Sequence, residues 1–220
     1  MKILFIGNSY TFDNSLAKMF EALANENGKE VSAFSVAPGG RELLDYEKRD
    51  EATIELEGLI SENLFDVCFI QEESTMPMKA YDRFEKGVKI ILEMLGEKAK
   101  RVILFNTWGR KEGCPETLPE YGWTNESMTM GLWEGYSKAA QKFGLSISAV
   151  GLNFFEINTN HKDIDLYNED LAHPSYKGSC LACMTHYYTV FGEPPASTST
   201  LKLSAKETEI FKNTICKKHK

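Results

Sequence analysis

Short apolar runs alternate with longer stretches of helical periodicity along this chain. Residues 2–7, KILFIG, are too short and too uniformly apolar for a helix, and they end on Gly7, which predicts a buried strand. Residues 15–28 place Leu16, Met19, Phe20 and Leu23 on one helical face, with Asn14 as a candidate cap and Gly28 at the end. The alternation continues with a strand over 30–36, a helix over 49–62 and a strand over 65–71. A helix over 79–100 carries Phe84, Val88, Ile91 and Leu95 in one stripe. It is followed by a strand over 101–108, a helix over 128–144 and a fifth strand over 145–151. A less regular stretch then runs to about residue 172, before helices over 175–191 and 204–219, the last with its basic residues toward the C-terminus. Strands rich in Val, Ile and Phe, separated by helices, predict an α/β protein with a mostly parallel sheet covered on both faces. In such sheets ligands bind beyond the carboxyl ends of the strands. Those ends fall at 7–12, 37–41, 71–76 and 106–111 and after 151, and they are expected to converge on one crevice.

Composition narrows the class of partner. The chain has 220 residues, 42% of them hydrophobic, enough for one ordinary globular domain while leaving room for two small ones. A formal charge of −7 and the lack of a basic stripe with interleaved aromatics argue against nucleic acid. The opening MKILFIGNSY has too short an apolar run for a signal peptide, and no apolar run approaches a bilayer span, so a cytoplasmic protein with no membrane partner is expected. The 5 cysteines, at 68, 114, 180, 183 and 216, make a poor disulfide framework. Cys180 and Cys183 have C-x-x-C spacing inside the 175–191 helix. They are read as small buried thiols, with a zinc pair as the alternative that would need two further ligands.

The strand ends carry the chemistry. The first reads GNSYTFDN and lacks the glycines of a phosphate or dinucleotide loop. Ser9 is either a turn or cap residue, or a nucleophile beside a helix N-terminus whose free N–H groups favour a developing oxyanion. The second end, APGGR, offers two glycines that suit a tight turn or a close backbone approach. The third, QEEST, brings the amide of Gln71 to the point where the strand stops. At 170–175, DLAHPS sets His173 on a polar loop three residues after Asp170; Pro174 suits a helix start but leaves that histidine unexplained. Among the other histidines, His161 reads as a loop residue, His186 as a helix residue and His219 as part of the basic tail. Tyr10, Trp108 and Arg110 are candidate substrate contacts, with Trp123 a further candidate wall residue: the aromatics would suit a sugar face or simple packing, and Arg110 an anion or water. The polar segment 109–126 is a lid, an interface or a disordered loop.

The stretches IGNSYT at 6–11, GG at 39–40 and DLAHPS at 170–175 together resemble the SGNH/GDSL hydrolase family, in a branch whose first block reads G-N-S. The resemblance covers nearly all of the chain. It implies a single domain over 1–220, with a flavodoxin-like three-layer α/β/α sandwich around a five-stranded parallel sheet. It also implies a serine hydrolase in which Ser9 attacks, His173 is the general base and Asp170 orients it. The oxyanion would be met by Ser9, Gly40 and a third donor. The family's third block is G-x-N-D, whereas this chain reads QEES. Ionised carboxylates only accept hydrogen bonds, so the amide of Gln71 takes the third place, with Asn106 as the fallback. The implied substrate is a carboxylic ester with a small acyl group, such as acetyl, on a carbohydrate or other small molecule, and no metal or organic cofactor is implied. The rival reading is a non-catalytic small-molecule or carbohydrate-binding protein on the same scaffold, with QEES marking lost function. A nucleotide-binding domain ranks last because the phosphate-loop glycines are missing. The oligomeric state stays open.

Overall fold

The chain runs β1 (Lys2–Ile6), α1 (Ser9–Phe12), α2 (Leu16–Glu26), β2 (Ser32–Val36), α3 (Glu51–Glu62), β3 (Val67–Ile70), α4 (Met76–Lys79), α5 (Tyr81–Leu95), β4 (Val102–Phe105), α6 (Leu118–Tyr121), α7 (Asn125–Phe143), β5 (Ser146–Ser148), α8 (Val150–Asn160), α9 (Tyr176–Phe191) and α10 (Ala205–Ile215). The computed structural model describes residues 1–115 and 118–217, so His219 and the last part of the expected 204–219 helix lie outside the described residues.

The five strands form one parallel sheet in the order β2-β1-β3-β4-β5. Period-two alternation sorts their side chains onto two faces. Ile3, Phe5, Phe69, Ile103 and Phe105 point to the face covered by α2, α8, α9 and α10. Leu4, Ile6, Cys68, Ile70 and Leu104 point to the face covered by α3, α5 and α7. Both faces are therefore dry, and the result is the expected three-layer sandwich with the flavodoxin-like order. β1 connects outward to β2 on one side and pairs with β3 on the other. That reversal is the place where open α/β sheets leave a crevice.

The helices start where polar side chains satisfy the free N–H groups of their first turns. Asp50 accepts from Thr53 N at α3, and Ser175 accepts from Gly178 N at α9. Thr124 with Ser127, and Ser204 with Glu207, make reciprocal boxes at α7 and α10. Asn14 is not the cap of α2. It sits at φ 54° and donates to Pro174 O at 3.3 Å and Ser179 Oγ at 2.9 Å, which ties the first helical region to the start of α9.

Three elements differ from the sequence reading. The fifth strand stops at Ser148 instead of running to 151, and Val150 opens the eleven-residue helix α8 where an irregular stretch was expected. Val150, Phe154 and Ile157 have helical spacing and are all buried, but Gly151 and the asparagines interrupt the apolar pattern. Gly151 is needed there because its backbone lies against the Thr107 carbonyl and the Asn106 side chain, with no room for a Cβ. The expected 79–100 helix is the shorter α5, ended by Gly96 at φ 48°. Among the described residues, no helix is long and apolar enough to cross a membrane.

Candidate active site

Ser9 is the first residue of α1, two residues beyond Gly7, whose N–H continues the sheet by donating to Val36 O at 3.1 Å. Gly7 has no room for a side chain, since a Cβ there would meet Gln71 Oε1 and Thr11 Oγ1. Asn8 caps the turn. Its Oδ1 accepts from Tyr10 N at 3.3 Å, and its Nδ2 donates to Arg41 O at 3.0 Å. The serine is thus presented at the carboxyl end of β1 by a backbone fixed on both sides.

The loop before α9 delivers the partner. Asp170 Oδ1 accepts from the N–H groups of Ala172 and His173, both at 2.9 Å, and Oδ2 lies 2.5 Å from His173 Nδ1. His173 Nε2 lies 2.9 Å from Ser9 Oγ. One carboxylate therefore shapes its own loop and orients the imbidazole ring toward the serine. The turn places Leu171 at φ 60°, a strained conformation for a leucine. Several bonds hold it there. Trp108 Nε1 donates to Ala172 O at 3.0 Å, Lys111 N to Leu171 O at 2.9 Å, and Asn168 N to His173 O at 2.8 Å. Burial pushes the Asp170 carboxyl up, but the Ala172 N–H, the imidazole and the His173 N–H outweigh it and hold the carboxyl below its ordinary range. Asp13 is pushed up by burial, against the pull of nearby His173.

These groups open on a cavity of about 250 Å³ lined by Asn8, Ser9, Tyr10, Gly40, Glu73, Ser74, Arg110 and His173. It collects residues from the ends of β1, β2, β3 and β4 and from the loop before α9, so the strand ends converge as expected. Larger depressions exist. One of about 590 Å³ lies beside the site over Phe12, Pro38 and Arg41. Another, of about 750 Å³, lies at the amino ends of the strands, around Met1, Lys2 and Asp66. Of these three, the 250 Å³ cavity contains the serine–histidine pair.

No family model and no curated protein matches the chain. Solved structures do. A candidate SGNH hydrolase from Slackia heliotrinireducens is 26% identical, with a TM-score of 0.72 over 86% of this chain and 98% of that one. This likeness supports an SGNH/GDSL hydrolase family for the chain. A DUF4886 family protein from Bacteroides uniformis shares its fold at a TM-score of 0.77 and 16% identity, over 98% of this chain and 93% of that one. The acetylxylan esterase Axe2 from Geobacillus stearothermophilus shares it at 0.61 and 15%, over 86% and 94%. These two likenesses concern the fold.

Measured against that family, the chain departs at the third block in a specific way. The structure does not bring the amide of Gln71 to the cavity. Gln71 is 1% exposed, and its Nε2 donates to Asn8 Oδ1 at 2.8 Å and to Glu72 O at 2.5 Å. Both amide hydrogens are committed, while Oε1 accepts from Asn8 N and Thr11 Oγ1, each at 2.9 Å. Gln71 is a bracket that fixes the GNS turn to the end of β3. Asn106 is no substitute. It is fully buried, with its Nδ2 turned onto Thr107 O at 3.1 Å.

Trp108 is not a substrate contact either. It is fully buried, stacked between Tyr10 at 4.5 Å and Phe154 at 4.0 Å, and its indole N–H supports the histidine loop. Tyr10 and Arg110 do line the cavity. Trp123 stacks on Tyr121 at 4.6 Å and packs on a small cluster with Cys114 and Met128. In the segment 109–126, the described residues form a tethered base: Asn125 Nδ2 holds the carbonyls of Gly109 and Arg110 at 2.9 and 2.8 Å. Cys180 and Cys183 are buried in α9, as read from the sequence, and His161 follows the end of α8. Asn8, Glu73 and Ser74 line the cavity although no role was assigned to them from the sequence. Their only signal was position, since all three follow strand ends.

Proposed function

We propose that the protein is a serine hydrolase of carboxylic esters, acting on a small acyl group such as acetyl carried by a carbohydrate or other small molecule. The observation that carries this reading is the line Asp170–His173–Ser9, closed at 2.5 and 2.9 Å on the wall of a cavity of about 250 Å³. Ser9 Oγ attacks the ester carbonyl and passes its proton to His173 Nε2. Asp170, held ionised, keeps the Nδ1–H tautomer and stabilises the imidazolium. The N–H groups of Ser9 and Gly40 receive the charge on the tetrahedral oxygen. Collapse expels the alcohol, which takes the proton from Nε2 and leaves an acyl group on Ser9. Water then repeats the sequence, losing its proton to His173, and releases the acid. The small cavity suits a short acyl group, and the adjoining depression of about 590 Å³, with Phe12 from the same helix as Ser9, offers room for the alcohol portion.

The test is a panel of p-nitrophenyl esters of rising chain length together with acetylated sugars, with a fluorophosphonate probe run alongside. Turnover that falls with acyl length, and a probe adduct mapped to Ser9, is the expected result. No ester turned over and no adduct at Ser9 would end the reading.

A further inference from the structure

Two donors in the cavity wall are left over once the contacts of the site are counted. Tyr10 is 3% exposed, with its ring stacked on Trp108 and edge-on to His173 at 5.4 Å. Its hydroxyl is buried and makes no well-formed hydrogen bond among the described residues, although Ser74 and Arg110 both act on it. Burial pushes its pKa up to about 12, so the phenol keeps its proton and remains a donor. Arg110 donates from one terminal nitrogen to Ser74 Oγ at 3.2 Å, but its Nε is buried and has no hydrogen-bond partner among the described residues. Among the described residues no carboxylate lies within ion-pair distance of this guanidinium. Glu73 lines the same cavity, but it is occupied locally. Its Oε1 accepts from Ser74 Oγ at 3.0 Å, and its Oε2 accepts from Thr75 N at 2.8 Å and Thr75 Oγ1 at 2.7 Å.

A desolvated guanidinium edge beside a buried phenol hydroxyl is an incomplete arrangement. Neutral acceptors would satisfy the hydrogen-bond count but leave the charge unanswered. A carboxylate answers both, because it accepts from Arg in a fork and from a third donor at once. We propose that Arg110 and Tyr10 form a subsite for a carboxylate carried by the ester, close to the bond that Ser9 cleaves. The preferred substrate is then an anionic ester, and its charge sits on one of two parts. It is on the alcohol, as in an acetylated acidic sugar, or on the acyl group, as in the half-ester of a short dicarboxylic acid. The ester chemistry rests on the function proposed for Ser9, whereas the carboxylate subsite is testable without it.

Two matched substrate pairs separate the sources. O-acetylated methyl glucuronide against O-acetylated methyl glucoside tests the alcohol side. Mono-p-nitrophenyl succinate against p-nitrophenyl butyrate tests the acyl side. In the wild type the charged member of one pair is expected to have the higher kcat/KM. In Arg110→Gln the charged-to-neutral ratio for that pair should fall at least tenfold, and Arg110→Lys should recover part of it. Tyr10→Phe, which keeps the stacked ring, should lower the same ratio severalfold. An equal fall on charged and neutral esters would overturn the proposal and move Arg110 to the oxyanion. Calorimetry on the Ser9→Ala protein gives a readout without turnover. Free glucuronate or succinate should bind, and the Ser9→Ala/Arg110→Gln double variant should lose at least tenfold in affinity. Binding of neither carboxylate, in folded protein, would overturn the subsite even if esters are cleaved. Carboxylate binding without Ser9 labelling or turnover would sink the esterase reading and leave the subsite standing.

Discussion

Ser148 Oγ lies 2.8 Å from His186 Nδ1, and Ser9 Oγ lies 2.9 Å from His173 Nε2. By distance the two pairs are equivalent, yet their surroundings are opposite. His186 is fully buried among Phe5, Phe69 and Phe105, with ring centroids at 5.8, 4.4 and 4.4 Å, and its second nitrogen has no hydrogen-bond partner among the described residues. Burial alone pushes its basicity down to about 3, so it stays neutral and cannot hold a proton taken from serine. His173 has a carboxylate on its second nitrogen and a cavity in front of its first. A serine–histidine contact becomes a reactive pair only when the imidazolium it would form is stabilised and a substrate can arrive.

The largest effect expected from this comparison is a reversal between two alanine variants. Ser9→Ala should lower kcat on any accepted ester by about 1,000-fold or more. It should leave the thermal melt near that of the wild type, because Ser9 faces the cavity. Ser148→Ala should do the opposite. It removes the hydrogen-bond partner of a buried imidazole, costing about 1–3 kcal/mol of stability, while turnover per folded molecule stays within about twofold. Steady-state kinetics and urea unfolding on both proteins check this. Loss of turnover in folded Ser148→Ala would mean that the core pair is coupled to the site.

Next in size is the carboxylate that distinguishes the two histidines. Asp170→Asn keeps the shape of the side chain but removes the charge that stabilises the imidazolium, and kcat should fall by about 100-fold or more. The loop should survive, because an amide oxygen can still accept from Ala172 N and His173 N. Near wild-type kcat in that variant would make Asp170 a loop residue only.

Much of this contrast was legible in the sequence. A strand end supplies Ser9, and the three-residue spacing in DLAHPS lets one carboxylate bind both the loop backbone and the imidazole. The layers follow from short apolar strands alternating with helices, whereas the flavodoxin-like strand order was implied only by the family resemblance. What escaped depends on neighbours distant in sequence. Gln71 looked like an oxyanion donor because it stands at a strand end. Its hydrogens are consumed by Asn8, sixty-three residues earlier, and by its own neighbour Glu72. Trp108 looked like a sugar platform until Tyr10 and Phe154 were seen to cover both of its faces. Helix α8 was hidden because a glycine needed for close contact with Thr107 breaks its apolar pattern.

The bracket made by Gln71 is a third way to probe the Ser9–His173 pair. Gln71→Ala would strand Asn8 N and the Thr11 hydroxyl without their acceptor, and a loss of about 2–4 kcal/mol is expected from unsatisfied buried groups. Gln71→Glu should be worse than Gln71→Ala, because a carboxylate would face Asn8 Oδ1 and Glu72 O, two acceptors, where donors now stand. Urea unfolding ranks the two variants. A stable Gln71→Ala protein with a large loss in kcat would return Gln71 to the oxyanion.

The smallest effect concerns how buried groups on the non-reactive side respond to pH. Glu72 is 1% exposed, and burial pushes its carboxyl up to about 8 even though the N–H groups of Glu73 and Leu43 donate to it. Between its ordinary value of 4.5 and about 8, the folded protein therefore holds a proton that the unfolded chain has released. That contribution to stability is fully present below 4.5 and is lost as pH rises through about 8. His186 works in the other direction. Its folded value of about 3 lies below the ordinary 6.5, so its contribution is present above 6.5 and lost as pH falls toward 3. Each slope is at most about 1.4 kcal/mol per pH unit. Glu72→Gln keeps an acceptor for Leu43 and Glu73 and removes the ionisation. On going from pH 5 to pH 8 the variant should gain stability relative to wild type, while the imidazole resonance of His186 stays flat over the same range. Urea midpoints and a carbon-detected histidine titration supply the two readings. Parallel pH curves for wild type and Glu72→Gln would show that Glu72 is ionised in the fold, and a moving His186 resonance would show that water reaches the core pair, which would erase the contrast with His173.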